Sequence, residues 1–140
     1  ALAIKVDKSI KATDIICTLL DLFFERGAPM YLRSDNGPEF IEKILKRWLA
    51  KNGTDTIHIE PGKPWQNGFI ESFTSKVRDE FLNMEVFYTL SEAQVKAEVW
   101  RWEYNGIRPH SSFKYQTPEE YRQEFFEGPN PATIQVPLLV

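Results

Sequence analysis

Two acidic side chains, Asp35 and Glu71, are placed in this sequence where they could hold a divalent metal ion together. Asp35 ends the apolar, β-prone run MYLRSD, and the turn-forming sequence Asn-Gly-Pro follows it directly. Glu71 lies in the first turn of a predicted helix that comes after a loop rich in proline and glycine. Carboxylates on a strand end and on a separate helix suit a Mg²⁺ site in which phosphate oxygens complete the coordination.

Each of the two acids also has a purely structural interpretation. Asp35 suits an Asx-turn or a helix N-cap before Pro38. On a helical wheel, Glu71 lies nearly opposite the apolar stripe of its own helix, which suits a solvated acid favoured by the helix dipole. That stripe consists of Phe69, Ile70, Phe73, Val77 and Phe81. Two acids alone therefore do not decide between structure and chemistry.

Strands and helices alternate along the chain in the predicted secondary structure. Strands are predicted at residues 1–7, 30–35 and 55–60, and helices at 14–27, 38–53, 69–83, 92–105 and 118–126. This alternation implies an α/β domain with a central sheet, in which ligands gather at the carboxyl ends of the strands. Asp35 is placed at one of those ends. The loop at 61–68, PGKPWQNG, is predicted to be mobile or tightly turned.

Several single residues have expected structural roles. Thr13 is the expected N-cap of the first helix, and Gly27 closes that helix. Cys17 lies in the apolar pattern of the same helix and is expected to be a core thiol. His58 alternates within the strand DTIHIE and is expected to be a satisfied sheet histidine rather than a ligand.

Two capping boxes are expected in the second half of the chain. Ser91 pairs with Gln94 at the start of one helix, and Thr117 pairs with Glu120 at the start of the next. In such a box, each side chain accepts a hydrogen bond from the other residue's backbone N–H. Both helices should therefore begin sharply.

Composition places the chain among globular proteins. It has 140 residues, 42% of them hydrophobic and 14% aromatic, which suits a single domain with a sizeable core. We expect a core domain at residues 1–126 and an extended tail at 127–140. The sequence contains neither a run of eighteen apolar residues nor a charged-then-apolar leader, so we expect an intracellular, cytoplasmic protein without a membrane span.

Charge alone does not indicate the partner. The net charge is −3, from 17 basic and 20 acidic residues, which does not by itself suggest nucleic acid. The basic residues are nevertheless grouped, and one group consists of Lys43, Lys46, Arg47 and Lys51. Such a group is either an ordinary solvated face or a local patch for an anionic partner, and the sequence leaves both open.

Three segments together resemble a known family. The catalytic core of insertion-sequence transposases related to retroviral integrases is similar to SDNGPEF at 34–40, GKPWQNGFIESFTSKVRDEFLN at 62–83 and YNGIRPHSS at 104–112. The resemblance runs from about residue 1 to 121. In that family 35 residues separate the second acid from the glutamate, and 35 residues separate Asp35 from Glu71 here.

The resemblance implies a ribonuclease H-like fold, with a mixed sheet flanked by helices, and a D-D-E active site that acts on DNA. Asp35 and Glu71 would be its second and third acids and would each hold a metal ion. Two Mg²⁺ or Mn²⁺ ions are expected in the complete enzyme, one to activate water or a 3′-hydroxyl and the other to stabilise the leaving oxygen. The family thereby cuts transposon ends and joins them to target DNA.

The same resemblance implies contacts with DNA outside the two acids. The expected contact residues are Lys63, Gln66 and Asn67 in the loop, Lys76 and Arg78 on the helix of Glu71, and Arg108 in the segment YNGIRPHSS. Ordinary surface roles remain open for the loop and helix residues. Helix-end and packing roles remain open for Arg108 and for its neighbour His110.

We expect the family's first acid to be absent from this chain. That aspartate belongs to the first strand of the fold, whereas residues 1–7 resemble the third strand, so we expect the first two strands to be absent from this chain. Asp7 ends an upstream strand, but it lies only 28 residues before Asp35 and on the wrong element. We therefore expect this chain to be inactive without the missing acid.

The missing strands also bear on the partners. They would leave an exposed sheet edge, which favours a homo-oligomer such as a strand-exchanged dimer. Two other functional classes stay open, namely a catalytically silent DNA-binding or multimerisation module and another ribonuclease H-like nuclease. Joining of DNA strands distinguishes a transposase from both.

Overall fold

The computed structural model describes residues 1–35, 37–58, 68–127 and 138–139, which fall into two compact units. The sheet unit consists of the described residues between Asp7 and Val86 together with residues 138–139. The helical unit consists of Ala1–Val6 and residues 87–127. The division into a core at 1–126 and a tail at 127–140 stays a prediction.

Three parallel strands form the sheet of the sheet unit. They are β1 (Tyr31–Ser34), β2 (Asp55–His58) and β3 (Leu138–Leu139), in the order β2-β1-β3. Tyr31 pairs with Asp55 and Ser34 with His58, so β1 and β2 are in register over their whole length. The predicted strands at 30–35 and 55–60 are confirmed over these residues, and residues 59 and 60 lie outside the described part. The described strands contain no antiparallel pair of the expected mixed sheet.

Helix α1 (Ala12–Arg26) buries one side against the core of the sheet unit. The buried residues are Ala12, Ile15, Leu19 and Leu22. The N-cap is Lys11, and the helix begins at Ala12. The carboxylate of Asp14 accepts a hydrogen bond from the backbone N–H of Lys11 at 2.9 Å. Thr13 is therefore not the N-cap. Gly27 closes the helix as expected, with φ +82° and its N–H bonded to the carbonyl of Phe23 at 2.9 Å.

Cys17 is exposed, and its predicted core position is wrong. The apolar pattern of α1 is wider than the buried stripe, so membership in the pattern does not imply burial. Cys17 lies two residues from both Ile15 and Leu19, which places it about 200° around the helix from each of them. Leu20 lies in the same apolar pattern and is also exposed.

The predicted helix at 38–53 is two helices. A short helix α2 (Pro38–Ile41) is separated from α3 (Lys43–Lys51) by Glu42, whose φ of −58° and ψ of 135° are extended. The apolar periodicity runs through Glu42 without a break, so it could not reveal the interruption. Asn52 and Gly53 end α3 as predicted.

Helix α3 packs on α1 through a small apolar interface. Leu45 and Leu49 of α3 are fully buried, and the rings of Phe23 and Trp48 lie 5.1 Å apart. Thr54, just before β2, is also buried and donates its hydroxyl to the carbonyl of Pro29 at 2.7 Å. These contacts join α1, α3 and the two longer strands into one core.

Helix α4 (Gly68–Val77) continues into a π-helical turn (Arg78–Leu82), and together they confirm the predicted helix at 69–83. Phe81 is buried in the π-helical turn. Phe69 is 78% exposed, so its predicted place in the core stripe is wrong. A helical wheel gives each side chain a direction but cannot say whether another element covers it.

Helix α5 (Leu90–Gly106) begins two residues earlier than the capping box that the sequence suggested. Thr89 is the N-cap, and its hydroxyl accepts a hydrogen bond from the N–H of Glu92 at 3.1 Å. The expected box of Ser91 and Gln94 is therefore wrong. Thr89 and Glu92 have the same spacing, and the carboxylate of Glu92 accepts the backbone N–H of Tyr88 at 2.9 Å.

Residues 1–6 lie along α5 and are not part of a sheet ladder, so the strand predicted at 1–7 is wrong. The side chain of Gln94 donates to the carbonyl of Val6 at 3.1 Å, and that of Asn105 donates to the carbonyl of Ala1 at 2.6 Å. The segment thus runs antiparallel to the helix. Eleven helical residues rise about 16 Å and five extended residues span nearly the same length, so the two spans match.

Helix α6 (Pro118–Glu127) opens with the predicted capping box, which is confirmed. The backbone N–H of Thr117 donates to Glu120 at 2.8 Å, and the N–H of Glu120 donates to the hydroxyl of Thr117 at 3.2 Å. The predicted tail at 127–140 lies mostly outside the described residues. Among the described residues, no helix is long and apolar enough to cross a membrane.

The core of the sheet unit can be tested with two neighbouring leucines of α1. Leu19 is 0% exposed and Leu20 is 55% exposed. Leu19→Ala should lower the free energy of unfolding by about 3 kcal/mol because it leaves a cavity. Leu20→Ala should lower it by less than about 1 kcal/mol. Urea titration followed by circular dichroism measures both, and equal losses would contradict the observed packing.

The Thr117–Glu120 box should make the stability of the helical unit depend on pH. Hydrogen bonds from the backbone and side chain of Thr117 lower the pKa of Glu120 below its usual 4.5. A lowered pKa means that the stabilisation is complete above about pH 4.5 and is lost as the pH falls through the folded-state value. The stability difference between the natural chain and Glu120→Gln should therefore shrink in acid. A difference that stayed constant between pH 7 and pH 3 would contradict this role.

Candidate active site

Asp35 lies directly after β1, at the carboxyl end of the central strand of the sheet. Leu32 and Ser34 are buried and hold the strand in the core, whereas Asp35 is exposed. One carboxylate oxygen, Oδ1, accepts the backbone N–H of Gly37 at 3.0 Å. The Asx-turn interpretation is thus confirmed. It does not exclude a metal, because a carboxylate offers about four lone-pair sites and this bond uses one of them.

A second carboxylate, that of Glu39, lies beside Asp35 and was not singled out from the sequence. A Cβ atom added to Gly37 would lie 2.8 Å from Oε1 of Glu39 and 3.1 Å from Oδ1 of Asp35. The two carboxylate oxygens are therefore no more than about 6 Å apart. The signal in the sequence was the acid in the first turn after Pro38, where the helix dipole favours negative charge.

Glu71 is exposed in the first turn of α4, as the helical wheel predicted. Lys76 is half-buried in the last turn of the same helix, and Arg78 is exposed at the start of the π-helical turn. The loop residues Lys63, Gln66 and Asn67 lie outside the described residues, so their expected DNA contacts stay predictions.

Asp35 and Glu71 belong to the same unit but to separate elements. Among the described residues, no group of three or more His, Cys, Asp and Glu side chains is assembled that could hold a metal. Two exposed carboxylates on separate elements nevertheless provide the hard oxygen ligands that Mg²⁺ prefers, with room for water and phosphate oxygens. The donor set therefore fits this ion. The joint role of the two acids stays a prediction.

The YNGIRPHSS segment leaves α5 and packs on it. His110 is buried, its Nε2 atom lies 3.2 Å from the carbonyl of Tyr104, and its ring meets that of Tyr104 edge-on at 4.6 Å. These contacts support the packing role of His110. The guanidinium of Arg108 lies over the ring of Tyr104 at 5.7 Å. Burial raises the pKa of Tyr104. The DNA contact of Arg108 stays a prediction.

The chain is similar to an established protein family and to proteins of insertion elements. Residues 52–118 match the family described as the integrase core domain. The uncharacterized 31.7 kDa protein of insertion element IS407 from Burkholderia multivorans is 46% identical over 96 residues, which are 69% of this chain and 35% of that protein. The uncharacterized 39.2 kDa protein of insertion element IS476 from Xanthomonas euvesicatoria is 40% identical over 122 residues, which are 87% of this chain and 35% of that protein.

The chain spans about a third of the length of these two relatives. Its fold is similar to the crystal structure of the catalytic core domain of BIV integrase, with a TM-score of 0.64 and 20% identity. That similarity covers 88% of this chain and 78% of the other. The expected ribonuclease H-like, integrase-core fold and the resemblance to insertion-sequence transposases are both confirmed.

The hydrogen bond between Asp35 and Gly37 predicts how substitutions at this position affect stability. Asp35→Asn keeps an oxygen that can accept the N–H of Gly37, so its melting temperature should equal that of the natural chain. Asp35→Ala removes the acceptor and should lower the free energy of unfolding by about 0.5–1 kcal/mol. Differential scanning calorimetry measures both changes. Equal stability of all three chains would show that the turn does not depend on the carboxylate.

Proposed function

We propose that this chain, whose residues 52–118 match the integrase core domain family, is part of the catalytic core of an insertion-element transposase. The complete protein cleaves DNA at transposon ends and joins those ends to target DNA. The observation that carries this proposal is the position of Asp35, exposed at the carboxyl end of the central parallel strand. It is the position at which α/β sheets bind ligands, and Glu71 follows at the family's spacing.

Asp35 and Glu71 are the metal ligands in this proposal. The bond from Gly37 to Oδ1 of Asp35 orients that carboxylate, and because the side chain is exposed, its remaining lone pairs can accept a cation. Glu71 is exposed and makes its contribution from the first turn of α4. Bound divalent ions would supply an activated oxygen nucleophile and would stabilise the leaving oxygen of the phosphodiester. Mg²⁺ or Mn²⁺ suits both tasks, with two ions in the complete enzyme.

The family's first acid is needed to complete the site. Among the acids upstream of Asp35, Asp7 is the one at the end of a predicted strand, but it lies only 28 residues before Asp35. Its carboxylate accepts the backbone N–H of Lys8 at 2.7 Å, in a segment that is not a strand. We therefore infer that Asp7 does not replace the first acid and that the 140-residue chain alone cleaves DNA poorly. DNA and further copies of the transposase are the partners of the complete protein.

The proposal predicts the behaviour of two conservative variants in a chain extended to the length of the IS407 and IS476 relatives. Asp35→Asn and Glu71→Gln each remove a metal-binding charge without changing size. Each should reduce Mg²⁺- or Mn²⁺-dependent nicking and strand joining by at least about a hundredfold. Gel electrophoresis of labelled transposon-end DNA measures both products.

Glu80→Gln, on the same helical segment as Glu71, is the matched control and should keep full activity. Nicking without joining in the extended natural chain would favour a different ribonuclease H-like nuclease. DNA binding with neither reaction would favour a catalytically silent module. Full activity of Asp35→Asn or Glu71→Gln would remove that residue from the metal site.

A further inference from the structure

Helix α3 carries a face of uncompensated positive charge that the proposed active site does not use. The nine-residue helix, KILKRWLAK, contains four basic residues and no acidic residue. These four exposed side chains, here called the α3 cationic face, are Lys43, Lys46, Arg47 and Lys51. The whole chain has a net charge of −3, so this local excess is not a reflection of overall composition.

The core of the sheet unit determines where this face points. At 100° per residue, the four basic side chains lie within an arc of about 140°. Leu45 and Leu49 lie on the opposite side of the helix and are fully buried against α1. Because the buried leucines lie on the opposite side of the helix, the cationic face is exposed to solvent.

The four charges have no acidic partner in the part of the chain that the structure describes. Other basic residues do have such partners, as Lys96 shows with Glu92 at 3.0 Å and Arg122 with Glu119 at 3.2 Å. Along α3, by contrast, Lys43, Arg47 and Lys51 follow one another at intervals of four residues. Like charges at this spacing repel each other and weaken a helix, so an anionic ligand would relieve the repulsion.

We propose that the α3 cationic face binds the phosphate backbone of duplex DNA, an inference that rests on the proposed function as a DNA transposase. Lys43 and Lys51 are about 12 Å apart along the helix axis. One strand of duplex DNA presents a phosphate about every 3.4 Å along its axis, so this length faces three or four phosphates. Four basic side chains therefore match a stretch of backbone better than they match a single small anion.

The chemistry of the face points to binding that does not depend on DNA sequence. Lysine and arginine neutralise phosphates and release condensed counterions, whereas sequence is read by contacts with base edges. The α3 cationic face consists only of lysine and arginine side chains, which suit contacts with phosphates. It lies in the same unit as Asp35.

The test replaces Lys43, Arg47 and Lys51 together by Gln in the 140-residue chain. Affinity for a mixed-sequence DNA duplex is measured by fluorescence polarisation between 50 and 200 mM salt. Three lost phosphate contacts should reduce the slope of log affinity against log salt by about 2.7. The natural chain should therefore lose about 40-fold more affinity than the variant across this fourfold salt range.

A matched variant, with Lys5, Lys8 and Lys11 replaced by Gln, removes the same charge from exposed positions elsewhere and should keep most of the slope. Circular dichroism checks that both variants fold. If the α3 variant does not fold, the single change Arg47→Gln replaces it and should reduce the slope by about 0.9. An unchanged slope in the α3 variant, equal losses in both triple variants, or no binding by the natural chain at 50 mM salt would overturn the inference.

The inference and the proposed function can fail separately. In the 140-residue chain, the change in salt dependence caused by the α3 variant tests the inference alone. In the extended chain, loss of nicking in Asp35→Asn and Glu71→Gln tests the proposed function alone. If the natural chain bound polyglutamate in preference to duplex DNA, the face would be a site for an acidic protein, and the inference would be wrong.

Discussion

The parallel pairing of β1 with β2 determines where Asp35 lies and how the chain leaves the sheet. It places Leu32 in the core and brings Asp55 into register with Tyr31. A parallel pair requires a long connection, which α2 and α3 supply. The buried leucines of α3 then anchor that connection on α1. Consequently, the exposed acid at the strand end and the basic face of the connecting helix belong to one structural unit.

The sequence predicted features that depend on neighbouring residues. The strand before Asp35 has a short apolar run between Pro29 and a turn, and the box at Thr117 has its two partners three residues apart. The exposure of Glu71 followed from its position on the helical wheel. In each case one local rule had a single solution, so no distant contact could change the outcome.

The predictions that failed depended on what lies beside an element. Cys17 and Phe69 belong to apolar patterns, but whether such a side chain is buried depends on another element covering it. At α5 the predicted cap was Ser91, but Thr89 takes that role, with Glu92 three residues later as its partner. Residues 1–7 have strand-forming composition, yet a strand also needs a neighbour. Glu39 was missed because the path of the turn decides its distance from Asp35.

The contact between residues 1–6 and α5 has a consequence for how this segment can vary. The side chains of Gln94 and Asn105 donate hydrogen bonds to main-chain carbonyls, which every amino acid possesses. Side chains along the segment can therefore change without breaking either hydrogen bond. Its length cannot change so freely. A single inserted residue would shift one carbonyl by about 3 Å, a distance that an amide on a helix cannot follow. The segment therefore tolerates substitutions but not insertions, because two hydrogen bonds fix the distance between its ends.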